Sequence, residues 1–319
     1  MITNNKNISL NMAVYLAHDD YDAIKEENYI SVTSLLKPLK AIILGMRAEY
    51  SEPDVLDFVA SRTGTAIHNA AENAWLHHNY KKNMKKLGYH QDVIDRVQVN
   101  PNIVSMDTDD INIFLEKRSI TSIGGYRVGG KFDAVFDGFI RDIKTVKAFS
   151  FMKNDNSDYQ LQMSIYKWLN PDIITGDIGF IDMLITDWKQ FEADAKPEYP
   201  QLPVVEKAIP LLSHQQTEKW LKDRLNHITI LKDKDQSALP ECTPQELWQS
   251  DPSYAYFKKP AAKRATKVFS SMAEANQRLL DDGSTGKVDT RYGKAKRCTY
   301  CNAQSLCNQA ARLSAEGLL

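Results

Sequence analysis

The chain has 319 residues, 43% hydrophobic and 25% charged, with a formal net charge of −1; that composition fits a globular protein with a sizeable core and excludes a disordered or collagen-like one. No apolar run approaches the ~18 residues of a membrane span and the start, Met1-Ile-Thr-Asn-Asn-Lys6, has no signal-peptide pattern, so a cytoplasmic location and no membrane contact are expected. The charge is uneven: Tyr254 to Cys298 hold 11 Lys/Arg against 4 Asp/Glu, a local net of +7, which suits a polyanion partner.

In chain order, Ile30 to Leu36 begins the ordered part. Pro53–Arg62 and Thr65–His78 read as two helices, the second with Ile67, Ala70, Ala71, Ala74 and Trp75 at helical spacing. His68 sits near its start, with Glu72 one turn later on the same face. Residues 81–102 are polar, include the basic cluster Lys81, Lys82, Lys85 and Lys86, and read as an excursion. Ile111, Ile113 and Leu115 alternate with polar residues as in a strand. Gly124-Gly125 turns the chain into a further strand that runs through Asp133. A hairpin follows, then a helix capped by Ser157 or Asp158 and stopped by Pro171. Ile178–Thr186 is a near-continuous apolar run, expected to be a buried strand. Ser213 with Gln216 forms a capping box for a helix to about Lys232. The order of elements is that of an α/β domain over residues 1–235. Leu239-Pro240 marks a change, and residues 236–319 form a basic extension that carries all four cysteines.

The hairpin holds the most chemistry. In Lys131-Phe-Asp-Ala-Val-Phe-Asp-Gly-Phe-Ile-Arg-Asp-Ile-Lys144, Asp137-Gly138 between apolar runs signals a type I′ turn, which needs positive φ at both central residues. That loop pairs Phe136 with Phe139, Val135 with Ile140, Ala134 with Arg141 and Asp133 with Asp142. Two facing carboxylates repel unless a cation lies between them. Lys144, two residues past Asp142, points to the same face, and Arg141 to the other. Two acids and a lysine on one face make a divalent-metal hydrolysis site, with oxygen ligands suited to Mg²⁺ or Mn²⁺. His68 is a candidate nitrogen ligand. Gln162 and Tyr166, four apart on the next helix and flanked by Tyr159 and Leu169, are placed to bond a phosphate or to order the lysine. Cys298-Thr-Tyr-Cys301 followed by Cys307 gives C-x2-C-x5-C, a soft-metal pattern, with Cys242 as a fourth thiolate; iron–sulfur and zinc both fit.

Taken together, Gly64-x3-His68, Gly130-Lys-Phe-Asp133, Asp142-Ile-Lys144 and Gln162-Met-Ser-Ile-Tyr166, in that order, resemble the RecB-like branch of the PD-(D/E)XK nuclease superfamily over about residues 30–190. The resemblance implies a restriction-endonuclease-like core, a central mixed sheet flanked by helices. It makes His68, Asp133, Asp142 and the Ile143 carbonyl the metal ligands, Lys144 the catalytic lysine, and Gln162 and Tyr166 active-site or DNA-contacting residues. Phe132 stands where the superfamily's name has proline. The cysteine tail is similar to the 4Fe–4S staple of AddB-type and CRISPR-associated exonucleases. Those families place one distant cysteine before the core, but Leu39-Lys-Ala-Ile-Ile43 has none and Cys242 follows the core, so zinc stays open as the alternative. Glu241-Cys-Thr-Pro-Gln-Glu-Leu-Trp248 with the terminal cysteines is also similar to phage and prophage nucleases.

The expectation is therefore a Mg²⁺- or Mn²⁺-dependent deoxyribonuclease, an exonuclease acting on DNA in recombination, repair or phage DNA processing. An endonuclease or junction resolvase on the same core, and a non-catalytic DNA-binding module, are the competing readings. The sequence has no helicase motif, so a helicase or a single-strand annealing protein would be a separate partner chain.

Overall fold

The structure is a computed structural model that describes residues 1–19, 24, 26–48, 52–105, 107–153 and 155–319. The chain divides into two compact units, residues 1–36 with 52–226, and residues 37–51 with 227–319. The division thus falls earlier than residue 235, and it assigns residues 37–51 to the cysteine-bearing unit. Among the described residues no helix is long and apolar enough to cross a membrane.

The first unit is α/β. Its strands are β1 (Tyr29–Ser31), β2 (Val97–Val99), β3 (Ile111–Leu115), β4 (Arg118–Ile123), β5 (Tyr126–Lys131), β6 (Ala134–Phe136), β7 (Phe139–Val146), β8 (Ile178–Ile185) and β9 (Val204–Pro210). Six of them form a mixed sheet in the order β2-β3-β6-β7-β8-β9, and β1-β5-β4 form a second sheet. β7 and β8 are parallel, so a crossover must join them; the helices Ala148–Lys153 and Ser157–Leu169 lie in it. β8 alternates buried and half-buried positions, so its apolar run is covered more fully on one face than on the other.

The hairpin forms with the expected register, Phe136 opposite Phe139, Val135 opposite Ile140 and Ala134 opposite Arg141. Asp137 and Gly138 have φ of 48° and 85°, as a type I′ turn requires. The ladder then ends. Asp133 is not in a strand: β5 stops at Lys131 in one sheet, the chain bends at Phe132-Asp133, and β6 starts at Ala134 in the other. The Asp133 carboxylate instead accepts the Ile143 amide at 2.9 Å, so a side chain replaces the missing rung. Phe132, only 1% exposed, anchors the bend in the core. Gly130 lets the chain pass close by: a Cβ there would lie 2.7 Å from Tyr166 and 2.9 Å from Val32.

Three expected elements differ. The two helices over residues 53–78 are a short 3₁₀ turn, Val55–Phe58, then one continuous helix, Val59–Trp75. Gly64 does not break it, and a Cβ at Gly64 would sit 4.0 Å from Thr145 Oγ1 of β7. Residues 81–102 are no excursion: they contribute the helices Asn79–Lys86 and Gln91–Asp95 and strand β2. Tyr80, Met84, Ile94 and Val97 there pack with Ile113, Leu115 and Ala134; four well-spaced apolar residues in a polar stretch suffice to dock it. The Ser157–Leu169 helix begins as expected, but its N-cap is Asn156 rather than Ser157 or Asp158, and Asp155 just before it accepts the Ser157 amide at 3.2 Å. The Ser213–Gln216 capping box is present in both directions.

The second unit holds a small antiparallel sheet in the order β11-β10-β12, built from β10 (Ser253–Phe257), β11 (Lys267–Phe269) and β12 (Lys287–Arg291). The helix Leu39–Arg47 belongs to it. Arg47 donates to the carbonyls of Leu231, Lys232 and Lys234, satisfying acceptors where the chain leaves the His214–Leu231 helix. Ile43 and Leu44 pack with Leu239 and Ala303.

Candidate metal centre

β7 places Asp142 and Lys144 on one face, because side chains two apart in a strand share a face. The Lys144 ammonium lies 2.5 Å from Asp142 Oδ2. Arg141 points to the other face, as expected, and pairs with Asp182 and Glu206 at 3.0 and 2.7 Å. The bend at Phe132-Asp133 brings the second acid in. His68 reaches it from the Val59–Trp75 helix, with Nδ1 3.3 Å from Asp133 Oδ2. Gln162, on the Ser157–Leu169 helix, donates to Asp142 Oδ1 at 3.4 Å. Tyr166, 4% exposed, is a core residue packed over Gly130, so it shapes the site from beneath.

A residue not expected from the sequence completes the cluster. Donor atoms of His68, Glu116 and Asp133 all lie within 4.8 Å of one another. Glu116 directly follows β3, in the left-handed region with φ 49°, and its amide donates to the Asp133 carbonyl at 3.0 Å. Lys131 pairs with its carboxylate. Asp142 stands outside this three-residue set.

Electrostatics divides the carboxylates. Burial pushes Asp142 up to about 6, against the pull of Lys144. Burial would also raise Asp133, but the His68 hydrogen bond, Lys144 and the Ile143 amide together hold it below the usual range. His68 is raised, chiefly by its hydrogen bond to Asp133. Burial raises Glu116 despite Lys131. Burial opposes the charge on Lys144, yet Asp142 and Asp133 override it and raise the ammonium. At neutral pH Lys144 is therefore a cation facing two carboxylates.

These residues fit a hard divalent ion. One imidazole nitrogen and two carboxylates within one ion's reach are a donor set for Mg²⁺ or Mn²⁺. Asp142, buried beside this set, holds its Oδ2 against the Lys144 ammonium. Glu116→Gln is expected to weaken Mn²⁺ binding about 10- to 100-fold, the range for losing a supporting group at a metal. Calorimetric titration checks this, and unchanged affinity removes Glu116 from the ligand set.

The four cysteines meet in the second unit. Cys242, Cys298, Cys301 and Cys307 line one pocket. Burial, with Glu246 and the other thiols, pushes the Cys242 thiol up to about 12, so a bound metal would have to expel that proton. Lys40, 2% exposed, lines the same pocket with Lys37 and Arg297, and no carboxylate is among the described lining residues. Buried positive charge around thiols suits an anionic metal–thiolate group. The stretch Leu39–Ile43, which lacks the distant cysteine of the similar exonucleases, thus lies beside the thiols but supplies Lys40 and Ala41.

No family model and no curated protein matches the chain. The crystal structure of SSO0001 aligns with a TM-score of 0.40 and 16% identity, over 70% of this chain and 85% of that one.

Proposed function

We propose that the chain is a Mg²⁺- or Mn²⁺-dependent deoxyribonuclease of the RecB-like PD-(D/E)XK kind, acting as an exonuclease in recombination, repair or phage DNA processing. One observation carries the reading: Asp133, Asp142, Lys144 and His68 converge on one face of a mixed sheet. The order of their motifs in the sequence and the Gln162 contact to Asp142 support it further. His68, Asp133 and Asp142, with the Ile143 carbonyl and now Glu116, would hold the ion. Bound there, the ion would acidify a water and polarise a phosphoryl oxygen. Lys144, held as an ammonium, is suited to donate hydrogen bonds to the water or the phosphate and to stabilise charge that builds up in the transition state. It is not suited to act first as a base. Gln162 keeps Asp142 oriented. The thiol pocket is proposed to hold a 4Fe–4S cluster that staples the basic tail, with zinc as the alternative.

End-labelled linear DNA incubated with Mn²⁺ is expected to lose its label progressively from the ends, while covalently closed circles persist. Cut circles would assign the same centre to an endonuclease. Intact DNA of every form, with metal bound, would reject the nuclease reading.

A further inference from the structure

The second unit leaves two large aromatic side chains in solvent: Trp248 is 46% and Tyr300 77% exposed. Their ring centroids are 6.2 Å apart, with planes tilted by 52°. The Arg297 guanidinium lies 4.9 Å over the Trp248 ring. The backbone goes to some length to hold this arrangement. Trp248 has φ 53°, a conformation that is a genuine outlier for so bulky a residue. Such strain persists only where its surroundings over-determine it. Here they do: a capping pair of Thr243 and Glu246 opens the turn, Trp248 donates to the Gln245 carbonyl at 3.0 Å, Gln249 to the Pro244 carbonyl at 2.9 Å, and the Arg297 amide to the Leu247 carbonyl at 3.0 Å.

The surrounding charge points to the ligand. Trp248, Tyr300 and Arg297 line the thiol pocket with Lys37, and the same unit carries 11 Lys/Arg against 4 Asp/Glu from Tyr254 to Cys298. Aromatic faces flanked by cations match a polyanion that carries flat rings. A duplex hides its base faces by stacking, whereas a single strand offers them. An apolar protein partner would not call for this excess of positive charge.

We infer that Trp248, Tyr300 and Arg297 form a stacking platform for the bases of single-stranded DNA. The choice of DNA over RNA rests on the nuclease reading above; the stacking chemistry does not.

The test is equilibrium binding of fluorescently labelled oligonucleotides to the full-length protein, without added divalent ions. Single-stranded DNA is expected to bind more tightly than duplex of the same length and to quench tryptophan fluorescence. Trp248→Ala and Tyr300→Ala should each lose about tenfold or more in affinity, the usual effect of removing one stacking ring. Trp248→Phe should recover most of it. Tyr292→Ala, which removes an exposed aromatic of the same unit that is not among the pocket-lining residues, should bind like the parent. Circular dichroism confirms that each variant is folded. Duplex preference, folded Trp248→Ala and Tyr300→Ala proteins that bind normally, an equal loss for Tyr292→Ala, or tighter binding to single-stranded RNA would each overturn the inference. A protein that cleaves no DNA with Mn²⁺ yet shows the Trp248-dependent preference would uphold the platform while removing the nuclease reading.

Discussion

Lys144→Ala and Asp142→Asn each yield a folded protein whose Mn²⁺-dependent cleavage of linear DNA is lower by about 100- to 10,000-fold, the range for losing a positioned proton-transfer or charge-stabilising group. The two substitutions act by different routes. Asp142→Asn removes a carboxylate that burial has already pushed up to about 6, so the neutral amide suits its surroundings and the fold tolerates it. It leaves the ion with a weaker oxygen, and Mn²⁺ affinity falls with the rate. Lys144→Ala leaves the carboxylates in place and unopposed, so Mn²⁺ binds at least as well while turnover collapses. The contrast between the two affinities separates a ligand from a catalytic cation. Asp142→Ala is the poorer probe, because beyond removing the charge it empties a buried position and loses the Gln162 contact, and such a cavity costs further stability. Undiminished cleavage by either variant would show that the chemistry lies elsewhere.

Cys301→Ser lowers both stability and metal content. Cys301 lies in the segment that packs with Leu39, Ile43, Leu44 and Leu239, and Cys298 and Cys307 pack with Leu247 and Leu313. A metal held by all four thiols would therefore tie together segments far apart in sequence, and structural metal sites contribute on the order of 10 kcal/mol to the folding of small domains. Losing one ligand should lower the melting temperature by about 10 °C or more. Metal analysis and a thermal melt of the purified protein test this. Brown protein with iron and sulfide, bleached in the variant, fits the 4Fe–4S proposal. Colourless protein with stoichiometric zinc replaces it with zinc. Unchanged metal content in the variant ends the staple idea.

How much of the site was readable depended on distance along the chain. Asp133, Asp142 and Lys144 lie within one hairpin whose register a two-residue turn dictates, so Asp137-Gly138 was enough to place them. Even there the inference stopped one residue short: Asp133 was expected opposite Asp142 in the ladder, but it leaves the strand and its carboxylate takes a backbone amide. Alternation alone could not reveal that bend, because it comes from β5 and β6 belonging to different sheets. Glu116 carries no motif around it. It was recoverable in principle. Leu115 pairs with Ala134, so the next residue must fall beside Asp133, but this needs the pairing of β3 with β6, a non-local fact. Residues 37–51 joining the second unit, and residues 81–102 docking in the first, likewise depend on contacts between distant segments that no local period encodes. Tyr166 shares the helix face of Gln162, but its burial over Gly130 makes it part of the core, which spacing along one helix does not distinguish from an active-site position.

The type I′ turn also decides which part of the site is local in the chain. Closing a loop costs more entropy as the loop lengthens, and hairpins form in about 1–10 µs. Asp142 and Lys144 sit on one strand of such a hairpin, so their mutual geometry is local. Asp133, at the bend between two sheets, and His68, on a helix far upstream, are placed by contacts between distant segments. The acid and lysine of β7 are thus the local part of the centre, and the second acid and the histidine are the parts that only the assembled fold supplies.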